Sequence, residues 1–277
     1  LKVKALAPMA LINLHNHSTY SDGTLTPAAL AREAARAGIQ YFSLTDHDMV
    51  GGWAEMEPAL KEAGINYCYG VEISTCLHEN LHILGYGLNP ADPVLAGRLA
   101  EFRGRRIVRM KKILELLKGL GIDIAFEELP VPEGRTVGRP HVADVMRARK
   151  LVPTRSQAFK RYLAPGAPAY VLPNGPTVEE AILAVKEAGG KAVLAHPGVV
   201  SKIMDLPAWK AAGLDGLEAF YPAHTGVATR EFVSLAARHG LFVTAGADFH
   251  GPGSERDKMT GFEYSDEYFS EIKKLFL

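Results

Sequence analysis

Short apolar runs alternate with amphipathic stretches over the first ninety or so residues. ALINLH (10–15) reads as a buried strand. Thr26 and Pro27 then open a helix, Thr as N-cap and Pro in the first turn, and Gly38 closes it. IQYFSLTDH (39–47) is the next strand, followed by a helix from Trp53 to Ala63 that Gly64 ends. INYCYGVEIS (65–74) and LHILGYGL (81–88) read as two more strands. The pattern then changes. Residues 95–118 form one long helical stretch with basic outer positions. Helical segments near 140–150 and 154–163 follow, separated by Pro- and Gly-containing turns. No strong strand run occurs between residues 90 and 168. Alternation resumes after Pro176. Thr177 and Glu180 have capping-box spacing at the head of a helix. KAVLAHP (191–197) and GLEAFYP (216–222) are strands, 227–239 is a helix, and LFVTAGADFH (241–250) is the last strand.

Repeating β-α units with short loops predict parallel strands. The expected architecture is α/β: a discontinuous barrel of residues 1–94 and 168–277, interrupted by a mostly helical insertion or cap, 95–167. A chain of 277 residues with 47% hydrophobic positions suits one barrel with an insertion and argues against disorder. The net charge is zero, so composition gives no global nucleic-acid or membrane signal. Locally the balance is uneven. Residues 98–161 hold 16 Lys/Arg against 7 Asp/Glu, a net of +9, which leaves −9 on the remainder. An acidic body carrying a basic insertion suits an anionic substrate; a solvated helix face is the plainer explanation of Arg103 to Lys112 taken alone.

Cys68 and Cys76 match no zinc or redox spacing and are expected to pack as free thiols in a reducing cytoplasm. No run of about 18 apolar residues predicts a membrane span. The opening LKVKALAPMA is too short and weakly apolar for a secretory signal, and residues 1–8 read as upstream of a natural start at Met9. No feature calls for an obligate protein partner.

The candidate chemistry lies where strands end. His15 and His17 close the first strand, two apart and therefore on one face. Asp22 follows in a Ser-Asp-Gly turn. His47 closes the second strand, with Asp46 placed to orient a ligand. Glu72 sits in an apolar run, where a lone carboxylate needs a partner; it is the expected bridging ligand between two cations. His82 begins its strand, a weaker position taken alone. His196, Asp248 and His250 end later strands. Any one of these is readily a satisfied structural residue. Nine together are too many for one tetrahedral zinc but suit two or three adjacent divalent ions. A His- and carboxylate-rich set accepts Mn, Fe or Zn, with availability often deciding, and Mn is the expected occupant.

HNHSTYSDG, LTDHD, GVEIS, LHILGY, AHP and ADFH, in this order, resemble the PHP (polymerase and histidinol phosphatase) family of phosphoesterases. The helical insertion and its RPH segment resemble the branch of nucleoside 3′,5′-bisphosphate phosphatases. The resemblance implies a distorted seven-stranded (β/α) barrel with a trinuclear metal centre. It implies that His15, His17, Glu72 and Asp248 hold one metal, that Glu72, His82 and His196 hold a second, and that Asp22, His47 and His250 hold a third. Phosphate-ester hydrolysis then needs neutralised phosphoryl oxygens and an activated water; a bound metal lowers the pKa of water from 15.7 to about 7 in the best-known zinc case. Asp248 or a neighbouring histidine is the expected proton shuttle.

Arg139 and His141 open a helix whose free N–H groups suit a phosphate, and the resemblance implicates both. Arg135 is a lesser candidate in the same loop. His224, in YPAHT, is expected either to donate to a phosphate or to act as general acid for the leaving oxygen, against the plain reading of a loop histidine. Glu218 and Tyr20 are supporting candidates; His78 and His239 have no assigned role. The expected substrate is a small anionic nucleotide, a nucleoside 3′,5′-bisphosphate, with 5′-to-3′ trimming of short single-stranded RNA by the same site. Two alternatives remain: a histidinol-phosphate phosphatase, against which the basic insertion argues, and a non-catalytic or polymerase-associated module, which degraded ligands would favour.

Overall fold

The computed structural model describes residues 10–277; the expected start at Met9 and the segment before it lie outside the described residues. Strand β1 (Leu11–Asn13) leads into α1 (Pro27–Arg36), where the Thr26 hydroxyl accepts the Ala29 N–H and Gly38 turns the chain with φ +73°. Strand β2 (Ile39–Phe42) and helix α2 (Trp53–Ala63) follow. The apolar run 65–74 is split: β3 (Asn66–Tyr67) and β4 (Gly70–Ser74) belong to different sheets. Strand β5 (His82–Tyr86) precedes the long α3 (Pro93–Gly119). Asp92 caps it by accepting the Leu95 N–H at 2.8 Å, so it starts earlier than periodicity indicates.

Helices α4 (Arg139–Ala148) and α5 (Arg155–Ala158) come next; α5 is shorter than expected because the chain continues as a π turn over Phe159–Leu163. Helix α6 (Val178–Glu187) carries the Thr177–Glu180 capping box in both directions. Strand β6 (Lys191–Leu194), α7 (Leu206–Ala211), β7 (Leu214–Phe220), α8 (Gly226–Arg238), β8 (Phe242–Ala245), β9 (Phe262–Glu263) and α9 (Asp266–Lys273) complete the chain.

The strands form two sheets in a mixed α/β fold. One runs β3-β2-β1-β9, the other β4-β5-β6-β7-β8. The pairs β1-β2, β6-β7 and β7-β8 are parallel as expected, but β5 runs antiparallel to both β4 and β6. The short connection between β4 and β5 has no helix, and only an antiparallel return can close so short a link. The edge strands of the five-stranded sheet, β8 and β4, meet the segments that follow β1 and β2. Asn16 bridges to Phe249 and the Leu14 N–H bonds the Ala245 carbonyl, while His47 bridges to Glu72.

Val71, Ile73, Ile83, Leu194 and Leu217 are fully buried with α6 and α8 side chains against one sheet. Leu30, Phe42, Trp53 and Met56 fill a second cluster under α1 and α2. A fully buried Leu, Ile or Val among these contributes about 1.5–3 kcal/mol by leaving water. Helix α3 straddles two cores. Leu95, Leu99 and Phe102 join the sheet core, whereas Met110, Ile113 and Leu117 pack with Val142, Met146 and Leu163 of the inserted helices. Cys68 is buried, Cys76 half-buried, and both are free. Among the described residues no helix is long and apolar enough to cross a membrane.

Candidate metal centre and anion cavity

All nine residues singled out as ligands converge at one end of the sheets. His82 belongs with them because its strand is reversed, so the beginning of β5 lies where the parallel strands finish. Ligand atoms of His15, His17, Glu72 and Asp248 lie within 4.8 Å of one another, as do those of His17, Asp22, His47 and His250, and those of His47, Glu72 and His82. His196 stands beside the same carboxylates, Nε2 being 3.4 Å from Glu72 Oε1 and 4.0 Å from Asp248 Oδ2. Compared with the expected partition, His17 touches two groups, and His47 pairs with Glu72 as well as with Asp22.

Glu72 sits at the centre. Its Oε1 faces His15 Nε2 at 3.3 Å and His82 Nδ1 at 2.7 Å; its Oε2 faces His17 Nε2 at 3.1 Å and His47 Nδ1 at 3.0 Å. Buried polar atoms are normally hydrogen-bonded. Here His15 Nε2, His17 Nε2, Asp22 Oδ1, Glu72 Oε2, His196 Nε2 and Asp248 Oδ1 are buried without a hydrogen-bond partner, and all point into the cluster. Six orphaned nitrogen and oxygen atoms converging on one small volume fit divalent cations, whose bonds would satisfy them.

The supporting contacts orient these ligands. Glu218, fully buried, takes His15 Nδ1 at 3.0 Å and the His196 backbone N–H at 2.8 Å. Asp46 accepts the Ser18 N–H and both the Ser18 and Ser21 hydroxyls, and Ser21 in turn meets His17 Nδ1 at 3.3 Å. Asp48, His196 and Asp248 adopt left-handed backbone, with φ of 49°, 29° and 53°. Such conformations cost about 1–3 kcal/mol each and turn the chain sharply just past the strand ends.

Electrostatics follow from this packing. Burial alone would lower the His15 pKa, but Asp248, Glu218 and Glu72 together raise it well above normal. For His17 burial is likewise outweighed, by the Asp248 and Glu72 carboxylates that face its Nε2 at 3.2 and 3.1 Å, and the pKa rises to about 9. Burial wins at His47, which is pushed down to about 4, and it also lowers His196. Burial opposes the ionised forms of Glu72 and Asp248, yet His47 and its neighbours hold Glu72 well below the usual carboxylate range, and Arg256 and His15 do the same for Asp248.

The cluster opens onto a cavity of about 560 Å³, the size of a nucleotide-type ligand site. Asp22, His47, His82 and His250 line its floor, and Arg106, Arg109, Arg139, Arg155 and Arg256 its walls. Helix α3 presents arginines at a spacing of three, one face of a helix. Arg103 donates to the Asp48 carbonyl, Arg106 to the Asp48 carboxylate and the Ser74 hydroxyl, and Arg109 pairs with Glu79.

Residues 13–130 match the PHP domain. A 3′,5′-nucleoside bisphosphate phosphatase from Chromobacterium violaceum is 36% identical over 258 residues, covering 88% of this chain and 89% of that protein. The chain belongs to the PHP family. The 5′-3′ exoribonuclease Rnm from Salmonella typhimurium is 34% identical over 87% of this chain and 86% of its own. A solved structure from Bifidobacterium adolescentis, described as a metal-dependent phosphoesterase, shares 31% identity and matches with a TM-score of 0.85 over 98% of each chain. As a PHP protein the chain is a metal-dependent phosphoester hydrolase.

Not every substrate candidate lies on the PHP cavity. Arg139 does: it pairs with Glu79, donates to the Leu163 carbonyl and packs over Phe159. His141 is buried and accepts the Gly138 N–H through Nδ1, so it caps α4 and is not among the residues lining the cavity. Arg135 is spent elsewhere, donating to the Thr19 carbonyl and hydroxyl and stacking 4.1 Å over Tyr20. Tyr20 donates to Glu55, away from the cavity lining. His224 bonds the Ala219 carbonyl through Nδ1 and accepts the Gly198 N–H through Nε2. Both nitrogens thus meet backbone atoms, and His224 is not among the residues lining the cavity. His78 lines the cavity, unlike His239.

Sequence reasoning missed Arg256 and Tyr221. Arg256 lies 2.8 Å from Asp248 Oδ2, and the Tyr221 hydroxyl donates to the same oxygen at 3.3 Å. Arg256 falls in a Gly-Pro-Gly-Ser-Glu-Arg loop with no periodicity to place it. Tyr221 sits one residue past β7 and carried the same signal as the ligands, but an aromatic at a strand end is usually core.

Proposed function

We propose that this protein hydrolyses phosphate monoesters of nucleotides, removing the 3′-phosphate of nucleoside 3′,5′-bisphosphates, and that it trims short RNA from a 5′-phosphorylated end. The carrying observation is the continuity of two features: a cluster of orphaned ligand atoms forms the floor of a cavity whose walls bear five arginines. The names of the Chromobacterium and Salmonella relatives support the two substrate forms.

In this reading His15, His17, Asp22, His47, Glu72, His82, His196, Asp248 and His250 would hold two or three divalent ions, Mn expected, with Glu72 at the centre of the set. Bound ions would supply phosphoryl charge neutralisation and a water of lowered pKa. The protein's own residues do the rest. Glu218 and Asp46 orient the imidazoles. Arg139 and Arg109 hold the substrate's distal phosphate, which sets the reacting phosphate over the cluster. Arg256 and Tyr221 fix Asp248, which remains the acid-base candidate. Residues 95–167 act as the cap. The edge contacts Asn16–Phe249 and His47–Glu72 support a ring β1-β2-β4-β5-β6-β7-β8, the distorted seven-stranded barrel. A cytoplasmic location accords with nucleotide substrates.

The test is phosphate release by the Mn-loaded protein from a nucleoside 3′,5′-bisphosphate, histidinol phosphate and a 5′-phosphorylated short RNA, side by side. Preference for the first and third is expected. Preference for histidinol phosphate would overturn the substrate assignment, and release from none would overturn the reading.

A further inference from the structure

Two buried arginines of the insertion share one carboxylate. Glu79, in the turn between β4 and β5, offers Oε1 to Arg109 of α3 and Oε2 to Arg139 at the start of α4. Side-chain exposures are 5% for Glu79, 9% for Arg109 and 15% for Arg139. Both guanidiniums are also tied to backbone carbonyls, Arg109 to Val171 at 2.7 Å and Arg139 to Leu163 at 3.1 Å. All three residues line the cavity. The same Glu79 contacts the metal cluster from its main chain, since its carbonyl meets His82 Nε2 at 3.0 Å while His82 Nδ1 meets Glu72 at 2.7 Å.

A carboxylate on the wall of a cavity for phosphates is unfavourable unless it does something for the cations around it. Two like charges this close repel, and without a counter-anion they would swing apart or lose order. Glu79 holds them as a fixed pair whose remaining N–H donors can meet a phosphate, in the planar geometry that suits arginine. We propose that Glu79 is a specificity-determining positioning residue: it pre-assembles Arg109 and Arg139 into a receptor for a second phosphate and ties that receptor to the metal ligand His82. This rests on the bisphosphate reading above. It adds that discrimination between bisphosphate and monophosphate resides in the Arg109–Glu79–Arg139 triad.

The experiment compares the metal-loaded protein on a nucleoside 3′,5′-bisphosphate and on the corresponding 3′-monophosphate, which differ only in the second phosphate. Wild type favours the bisphosphate. Glu79→Gln, which keeps shape and the His82 backbone contact, lowers the ratio of the two kcat/KM values about tenfold, chiefly through KM of the bisphosphate. Glu79→Asp gives a smaller fall in the same direction and serves if the glutamine variant does not fold. Calorimetric binding of the bisphosphate to chelator-treated protein gives a readout without turnover, and the variants weaken it too. Equal losses on both substrates would make Glu79 merely structural and overturn the proposal. Tighter bisphosphate binding in Glu79→Gln would make the carboxylate a competitor and likewise overturn it. A wild type with no preference for the bisphosphate would instead remove the underlying reading.

Discussion

Glu218 Oε1 lies 3.0 Å from His15 Nδ1, so that Nε2 of the same ring is left facing Glu72 and Asp248 at 3.3 Å each. The carboxylate fixes which nitrogen carries the proton and which is presented to the cluster. Its other oxygen holds the His196 N–H at the strained turn after β6.

Glu218→Gln should therefore weaken metal binding without emptying the fold. Loss of such an orienting partner typically costs about 10–100-fold in affinity or activity. Chelator competition followed by elemental analysis would measure it. Unchanged metal content at limiting free metal would show that Glu218 only packs.

Metal binding should depend on pH in a defined direction. In the metal-free protein His15 and His17 are raised, His17 to about 9, because nearby carboxylates outweigh burial. Their ion pairs stabilise the metal-free fold fully below the unfolded histidine pKa of about 6.5, and that stability fades as pH rises through about 9. Ligation requires neutral imidazole, so binding expels these protons and apparent affinity climbs over the same window. His47, near 4, adds nothing there. Calorimetric Mn titrations in buffers of different ionisation enthalpy should show net proton release at pH 7.5; uptake, or none, would contradict the charge assignment.

Gly246 has no room for a side chain. A Cβ there would overlap the His15 side chain and Glu218 Oε1. Gly246→Ala should cost about 1–3 kcal/mol, the usual range for overpacking, and lose metal together with stability. Thermal melts with and without metal would show it. A variant of wild-type melting temperature that still binds Mn would mean the turn after β8 yields freely.

Much of the centre was legible because chemistry and period coincide: an imidazole or carboxylate at the end of an apolar run has few other reasons to be there. His82 was the weakest candidate, since its strand polarity depends on pairing with β4 and β6, a tertiary fact. The split of 65–74 into β3 and β4 was hidden for the same reason, as a continuous apolar run does not announce a change of sheet. The backbone partners of His224, the Ala219 carbonyl and the Gly198 N–H, were equally hidden, because they belong to other segments of the fold. Arg109 and Arg256 were invisible individually because arginine on a helix or in a loop is ordinarily solvated.

Arg139, at the start of α4, and Arg135, in the loop before it, then separate by function. Arg139 lines the cavity and shares Glu79 with Arg109, whereas Arg135 braces the Thr19–Tyr20 segment from outside. Arg139→Ala should raise KM for a bisphosphate at least about tenfold, the equivalent of 1.4 kcal/mol, because a buried charged partner is lost. Arg135→Ala should instead lower stability by about 0.5–1 kcal/mol, the worth of an exposed cation–π contact, and change KM less than about twofold. Metal content should hold in both, since neither arginine touches a ligand atom. If the two variants exchanged phenotypes, the cavity lined by Arg139 could not be where the second phosphate binds, and the loop before α4 would have to carry the substrate instead.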